Sequence, residues 1–505
     1  MKKRLGIGLV SNIISILIAV GLNFIITPYI ISKLGSTAYG FDTLSDNIAS
    51  YATVITTALN YMGCRFIAYA YHQGKRQEAE SFFSSLFFGD LLLAVVLGIG
   101  LGAIVVYLDK LITIPEELLT DVKITFLLTF LCFLLRVIET AFTAGAYVAQ
   151  RMDLYAVRQI IYNIIRAVLI VVLYIFFKPQ IYYISLATWL ATIANVIMDY
   201  SLTRKLLPDL KIRLRDFKGK CIASLISSGV WYSIISLGGI LANGLDLLIT
   251  NQFISPYYMG ILAVSKTVTS AISKIRSSIV SVFNPNLLKN YADGKEALLG
   301  EQVKVSMRIT SFILNVPLAC LAVYGNIFYK IWLPNYTNEE IRIVTILTVL
   351  GMSAHVVNAN MGCVSEICAL VNKLKLATLA NLIQNALSLI LTLFILEKTN
   401  LSVFAVAGVS SIVSIVYFVI FVVPYMAKLL KLKYTYFFPT MLRGTFNFSF
   451  LVIVYYIIML KVDVKGWIDF IILILCSALV GYIISFIFCI KKEERRKLFD
   501  WKETK

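Results

Sequence analysis

A chain of 505 residues that is 59% hydrophobic and only 15% charged, with a mean hydropathy of +0.83, is too apolar for a soluble enzyme, since soluble domains carry about 25% charged residues. The net charge of +18 does not point to nucleic acid, because the basic residues sit in short polar connections and not among exposed aromatics. Apolar runs of roughly 20 residues, the length that crosses a bilayer, recur from end to end; they leave no room for a large soluble domain and predict an all-α polytopic membrane protein.

In chain order the predicted transmembrane helices cover 5–31, 41–64, 82–107, 124–150, 159–177, 183–203, 221–250, 258–283, 305–329, 343–370, 376–396, 401–427, 444–460 and 467–490, about 14 in all. With Met1 in the cytoplasm, the connections on that side hold 31 of the 46 Lys and Arg residues and the opposite connections hold nine. The positive-inside bias therefore puts both termini in the cytoplasm and requires an even number of spans. Lys2, Lys3 and Arg4 precede an apolar run too long for a signal peptide, and no small-residue cleavage site follows it. The eight cysteines fall in or beside spans without a C-x-x-C spacing, so they read as small buried apolar residues and no metal or cofactor is expected.

Sliding the chain against itself at an offset of 220 aligns residues 40–75 with 260–295. The shift pairs Gly40 with Gly260, and Tyr71-His-Gln-Gly-Lys75 with Tyr291-Ala-Asp-Gly-Lys295. The second span falls on the eighth with the same orientation, which predicts a parallel repeat of six spans. The expected organisation is an N-terminal six-helix lobe (1–203), a basic cytoplasmic linker (204–220), a second six-helix lobe (221–427), two further transmembrane helices (428–490) and a basic cytoplasmic tail (491–505). Parallel repeats of this kind are a transporter architecture, with the binding site between the halves.

The stretch from Asn23 through Pro28 and Gly35 to Tyr39-Gly40, and its counterpart from Asp246 through Pro256 to Gly260, resemble the openings of the two halves of bacterial polysaccharide flippases of the O-antigen and capsule type. These belong to the multidrug/oligosaccharidyl-lipid/polysaccharide exporter superfamily. The resemblance implies a non-enzymatic transporter in the bacterial cytoplasmic membrane that moves an undecaprenyl-pyrophosphate-linked oligosaccharide to the outer leaflet by alternating access. Membrane lipids, a polysaccharide polymerase and assembly proteins are its implied partners, and a coupling cation, Na or H, is left open.

The residues give their own reason for an anionic cargo. Arg136, Arg166, Lys266, Lys274, Arg276 and Arg308 lie within spans, where a central Arg or Lys costs about 2.5–3.5 kcal/mol on insertion scales and so faces a cavity or a partner. Guanidinium forks match pyrophosphate oxygens, which makes Arg136, Arg166, Lys266 and Arg276 candidate substrate ligands. The bland alternative is ion pairing or snorkelling, with Glu139 three residues from Arg136 on the same helix face.

Asp46, Glu139 and Asp246 are candidates for gating or coupling. Asp46 and Lys266 occupy equivalent repeat positions, and a charge pair between the lobes would supply a two-state element. Asp42 and Asp199 read as solvated helix ends. Pro28 and Pro317 read as kinks. His355, with Asn358 and Asn360 nearby, keeps a membrane-bound O-acyltransferase open, and a cation-coupled exporter of small amphiphiles on the same fold is a second alternative. A Walker A loop, a D-x-D pair and an H-E-x-x-H motif are all missing from the sequence.

Overall fold

The computed structural model describes residues 2–292, 296–371 and 373–490, and these residues form helices and connecting turns, without a strand. The predicted tail 491–505, and Gly294 and Lys295 of the repeat motif, lie outside the described residues. The helices are α1 (Lys2–Tyr51), α2 (Thr53–His72), α3 (Arg76–Val106), α4 (Leu108–Leu111), α5 (Leu119–Val148), α6 (Met152–Phe176), α7 (Tyr182–Leu206), α8 (Gly219–Asn243) and α9 (Asp246–Phe253). They continue as α10 (Pro256–Ala292), α11 (Glu296–Trp332), α12 (Asn338–Met361), α13 (Ile367–Leu370), α14 (Leu374–Lys398), α15 (Val403–Tyr417), α16 (Val423–Leu429), α17 (Phe438–Met459) and α18 (Trp467–Cys489).

Eleven helices among the described residues are long and apolar enough to cross a membrane, so the chain is a multi-pass membrane protein. The remaining predicted segments, 41–64, 183–203 and 258–283, are helical too, on α1 with α2, on α7 and on α10. Helix breaks follow from local chemistry. Gly35 adopts φ 82 and ψ 168 and splits α1 in two, a conformation that costs only glycine little. Pro28 lies inside the first part of α1, and Pro317 lies inside α11, with helix on both sides. Between α15 and α16 the turn widens to a π-helix over Phe418–Val422, where Pro424 has no N–H to return to the carbonyl four residues before it.

A pair of helix starts repeats the sequence offset. A shift of 220 carries Ser36, where α1 resumes after Gly35, onto Pro256, the first residue of α10. The compact units, however, are Met1–Ala263 and Val264–Lys505. They part after α8 and α9, later than the connection 204–220 at which the sequence divides the chain. The cause is visible at Gly229 of α8: a side chain there would run into the Ala58 backbone of α2. In lipid such close approach of small residues holds helices together where apolar burial offers no net gain. Large apolar side chains such as Ile25, Ile99, Phe176 and Ile468 are instead exposed and form a surface suited to acyl chains.

Candidate functional site

The polar groups of the first unit converge on α5 and α7. On α7, Ser185, Thr188, Thr192, Asn195 and Asp199 recur at three- and four-residue steps, which puts them on one helix face. Thr125, Thr129, Cys132, Arg136, Glu139 and Thr143 do the same on α5. The two stripes meet in register: Thr129 bonds Ser185 at 3.0 Å, Cys132 bonds Thr192 at 3.1 Å, and the Asn195 amide donates to Glu139. This seam is the most extensive helix pairing among the described residues.

Two further helices close the seam. Arg158, Tyr162 and Arg166, four residues apart, share one face of α6. Arg158 pairs with Asp199 at 3.3 Å. Arg136 donates to the Tyr162 hydroxyl at 2.5 Å and lies 5.5 Å from the centre of its ring. Arg166 donates to Thr188 Oγ1 at 3.0 Å and to Asn23 Oδ1 of α1 at 3.3 Å. From α1, Ser45 bonds Thr129 at 3.0 Å, and Asp42 accepts from Ser185 at 3.3 Å. Asp42 feels both the opposite charge of Arg166 and the like charge of Asp46, and Arg136 feels Asp46 and Glu139.

Asp42, Glu139 and Asp199 are therefore buried in one polar region, with Arg158 and Arg166 half-buried and Arg136 and Asp46 exposed. Burial without compensation would cost each of the three acids several kcal/mol, and their bonds to neighbouring side chains offset that cost. The Glu139 and Asp199 carboxyl groups lie close enough to influence each other. Asp199 Oδ2 is buried and has no hydrogen-bond donor among the described residues. At the start of α6, Arg151 grips Asp153 at 3.0 Å.

The second unit uses its candidate cations differently. Arg276 donates from Nε to the Asn358 carbonyl at 3.1 Å and from Nη2 to the Gly362 carbonyl at 3.1 Å, with Ser365 Oγ at 3.4 Å. It caps the C-terminal end of α12, where Gly362 turns the chain at φ 54, and a guanidinium there meets both orphan carbonyls and the negative end of the helix dipole. Lys266 is half-buried on α10, in the other unit from Asp46, and Lys274 is exposed. Arg308 is buried on α11. Asp246 opens α9 close to Tyr51, whose hydroxyl donates to the Gly244 carbonyl at 2.6 Å. His355 lies 3.3 Å from Ser273 Oγ.

Asp42 and Asp199 are not solvated helix ends: both are buried and bonded, because α1 runs on to Tyr51 and α7 to Leu206, which draws both acids into helix interfaces. Arg158, assigned by sequence to a connection, lies on α6 for the same reason. Asn23, Thr188 and Asn195 were passed over because they are uncharged; the signal that would have found the last two is the regular polar spacing on α7.

The sequence profile of the polysaccharide biosynthesis protein family matches residues 5–290. The chain belongs to that family. The uncharacterized membrane protein EpsK of Bacillus subtilis is 27% identical over 323 residues, 64% of each chain, so the match spans just under two thirds of that relative's length. Among solved structures, the lipid II flippase MurJ in an inward closed conformation superposes at a TM-score of 0.64 with 14% identity, over 97% of this chain and 99% of its own. An inward-facing multidrug resistance MATE family transporter of the MOP superfamily gives 0.64 and 14%, over 85% and 98%. At such identities these two likenesses are of fold alone.

Proposed function

We propose that this family member is a flippase that carries an undecaprenyl-pyrophosphate-linked oligosaccharide from the cytoplasmic to the outer leaflet by alternating access, supplying O-antigen or capsule type polysaccharide synthesis. The observation that carries this reading is the set of three guanidinium groups, Arg136, Arg158 and Arg166, gathered in one polar region of a membrane-embedded unit. Each guanidinium has five N–H donors, and the bonds above engage two on Arg166 and one on Arg136. An entering diphosphate meets charge that is already oriented, so little reorganisation is needed on binding.

In the same reading the coupling ion is a proton, carried by Glu139 with Asp199. Loss of that proton leaves two carboxylates facing each other with Arg158 as their nearest counter-ion, and the repulsion favours a rearrangement of α5 against α7. Both termini lie in the cytoplasm of a bacterium, as the 31-to-nine distribution of basic residues favours, and the product passes to a polymerase and assembly proteins. A second reading, a cation-coupled exporter of small amphiphiles, is favoured by the MATE transporter's equal TM-score of 0.64.

The test is deletion in the native glycan pathway, followed by return of wild type, Arg136→Ala or Arg166→Ala at matched membrane expression. Accumulation of lipid-linked glycan on the cytoplasmic face after deletion, reversed only by wild type, supports the flippase. Undiminished outward delivery after deletion contradicts it, and a drug-sensitive phenotype then supports the exporter.

A further inference from the structure

We propose that the segment Lys211–Lys220 is a docking site for anionic phospholipid headgroups of the cytoplasmic leaflet. It joins α7 to α8 and carries Lys211, Arg213, Arg215, Lys218 and Lys220 against one acid, Asp216. Its backbone is pinned to α3 through two buried serines. Ser84 Oγ accepts from the Arg213 N–H at 3.2 Å and donates to the Lys211 carbonyl at 3.3 Å. Ser85 Oγ accepts from the Lys218 N–H at 2.9 Å and donates to its carbonyl at 3.4 Å.

Those serines fix the depth of the segment. They stand where α3 passes from its polar first turns, Arg76 to Glu80, into the apolar stretch that begins at Phe82, which is the level at which a helix enters the bilayer. Leu207, Leu210 and Ile212 point inward and pack with α2, α3 and α5 side chains. Leu214 and Phe217 point the other way: Leu214 is 72% exposed and Phe217 is 38% exposed, with its ring 6.4 Å from Phe88. Lys211, Arg215, Lys218 and Lys220 are exposed beside them.

A rigid backbone thus holds two apolar side chains and four basic ones outward at headgroup depth. That combination suits an anionic interface: the apolar pair enters the acyl boundary while the cations meet phosphates. A polar connection that met only water would not leave Leu214 and Phe217 uncovered. The acid Asp209 nearby is engaged by Arg76 at 3.7 Å, which leaves the patch strongly positive. Charge complementarity selects anionic phospholipid over zwitterionic lipid as the occupant.

The test places a photoreactive aromatic, Phe217→benzoylphenylalanine, in the full chain reconstituted in vesicles of phosphatidylethanolamine and phosphatidylglycerol, which contain no lipid-linked glycan. Leu214→benzoylphenylalanine is a second position, where the exposed side chain makes misfolding no concern. Crosslinked lipid is identified by mass spectrometry. Phosphatidylglycerol is expected at about fivefold or more above its bulk share, falling to the bulk share in the Lys211→Ala/Arg215→Ala/Lys218→Ala/Lys220→Ala background. Raising the ionic strength is expected to reduce the enrichment in the unmutated background as well, a check that needs no charge variant to fold. Crosslinks only to protein, phosphatidylglycerol at its bulk share, or an enrichment indifferent to both charge removal and salt would overturn the proposal. Transport is not read in this experiment, so its outcome is independent of the flippase proposal.

Discussion

Gly40 and Gly260, equivalent residues in the 220-residue repeat, lie against each other: a Cβ on Gly40 would fall 2.8 Å from Gly260 Cα. A Cβ on Gly260 would in turn lie 2.7 Å from the Thr37 backbone nitrogen and meet the Ser36 carbonyl. Each glycine lies four residues after the start of the equivalent helix in its own half of the repeat, so the contact joins the offset seen in sequence to the packing of helices. Backbone atoms cannot swing aside as a side chain does. Gly40→Ala and Gly260→Ala should each destabilise by about 1–3 kcal/mol through overpacking. Gly100→Ala, with nothing within 4 Å of the added carbon, should be neutral or slightly stabilising. Thermal unfolding in detergent distinguishes them; equal melting of all three variants would refute the close approach.

Arg166 binds Thr188 and Asn23 through different nitrogens of one planar group. Lysine keeps the charge but cannot span both partners. Transport by Arg166→Ala should fall at least about tenfold, the equivalent of ~1.4 kcal/mol, with Arg166→Lys between it and wild type. Initial rates of outward glycan delivery at matched expression give the order; full activity in the alanine variant would remove Arg166 from the substrate path.

The Arg158 and Asp199 pair is partly buried, and breaking one side leaves the other charge without its partner. Asp199→Asn should cost roughly 3 kcal/mol or more, whereas Arg158→Gln with Asp199→Asn together should cost less than the sum of the single changes. A double-mutant cycle of unfolding free energies measures the coupling, and simple additivity would show that the pair does not interact in the folded protein.

For Arg276 the expected signature is structural. Arg276→Ala removes the bonds to two α12 carbonyls, worth about 1.5–3 kcal/mol each for a charged donor. Melting temperature should drop while the activity per folded molecule is largely retained. Normal stability with abolished transport would return Arg276 to the substrate path.

Much of this was legible before any coordinates. Runs of apolar residues mark the membrane helices, and the repeat offset recurs in the helix starts at Ser36 and Pro256. The paired polar stripes on α5 and α7 were equally readable as three- and four-residue steps, but a search for ionisable residues alone passes over Thr188, Thr192 and Asn195. Other features were hidden by distance along the chain. Asn23 and Arg166 are 143 residues apart, and no local pattern joins them. The fate of Arg276 depends on the break at Gly362, which falls inside a continuous apolar segment, and hydropathy carries no trace of a left-handed turn.

The central claim is that this protein itself moves a lipid-linked oligosaccharide between leaflets. Its most direct test is reconstitution of the purified full chain into vesicles carrying the native lipid-linked glycan, with a membrane-impermeant lectin reporting how much glycan becomes accessible from outside. Protein-dependent exposure of glycan loaded on the inner leaflet, greatly slowed by Arg166→Ala and by Glu139→Gln, is the predicted result. Exposure no faster than in protein-free vesicles, under a proton gradient of either direction and with glycan drawn from the protein's own pathway, would contradict the account.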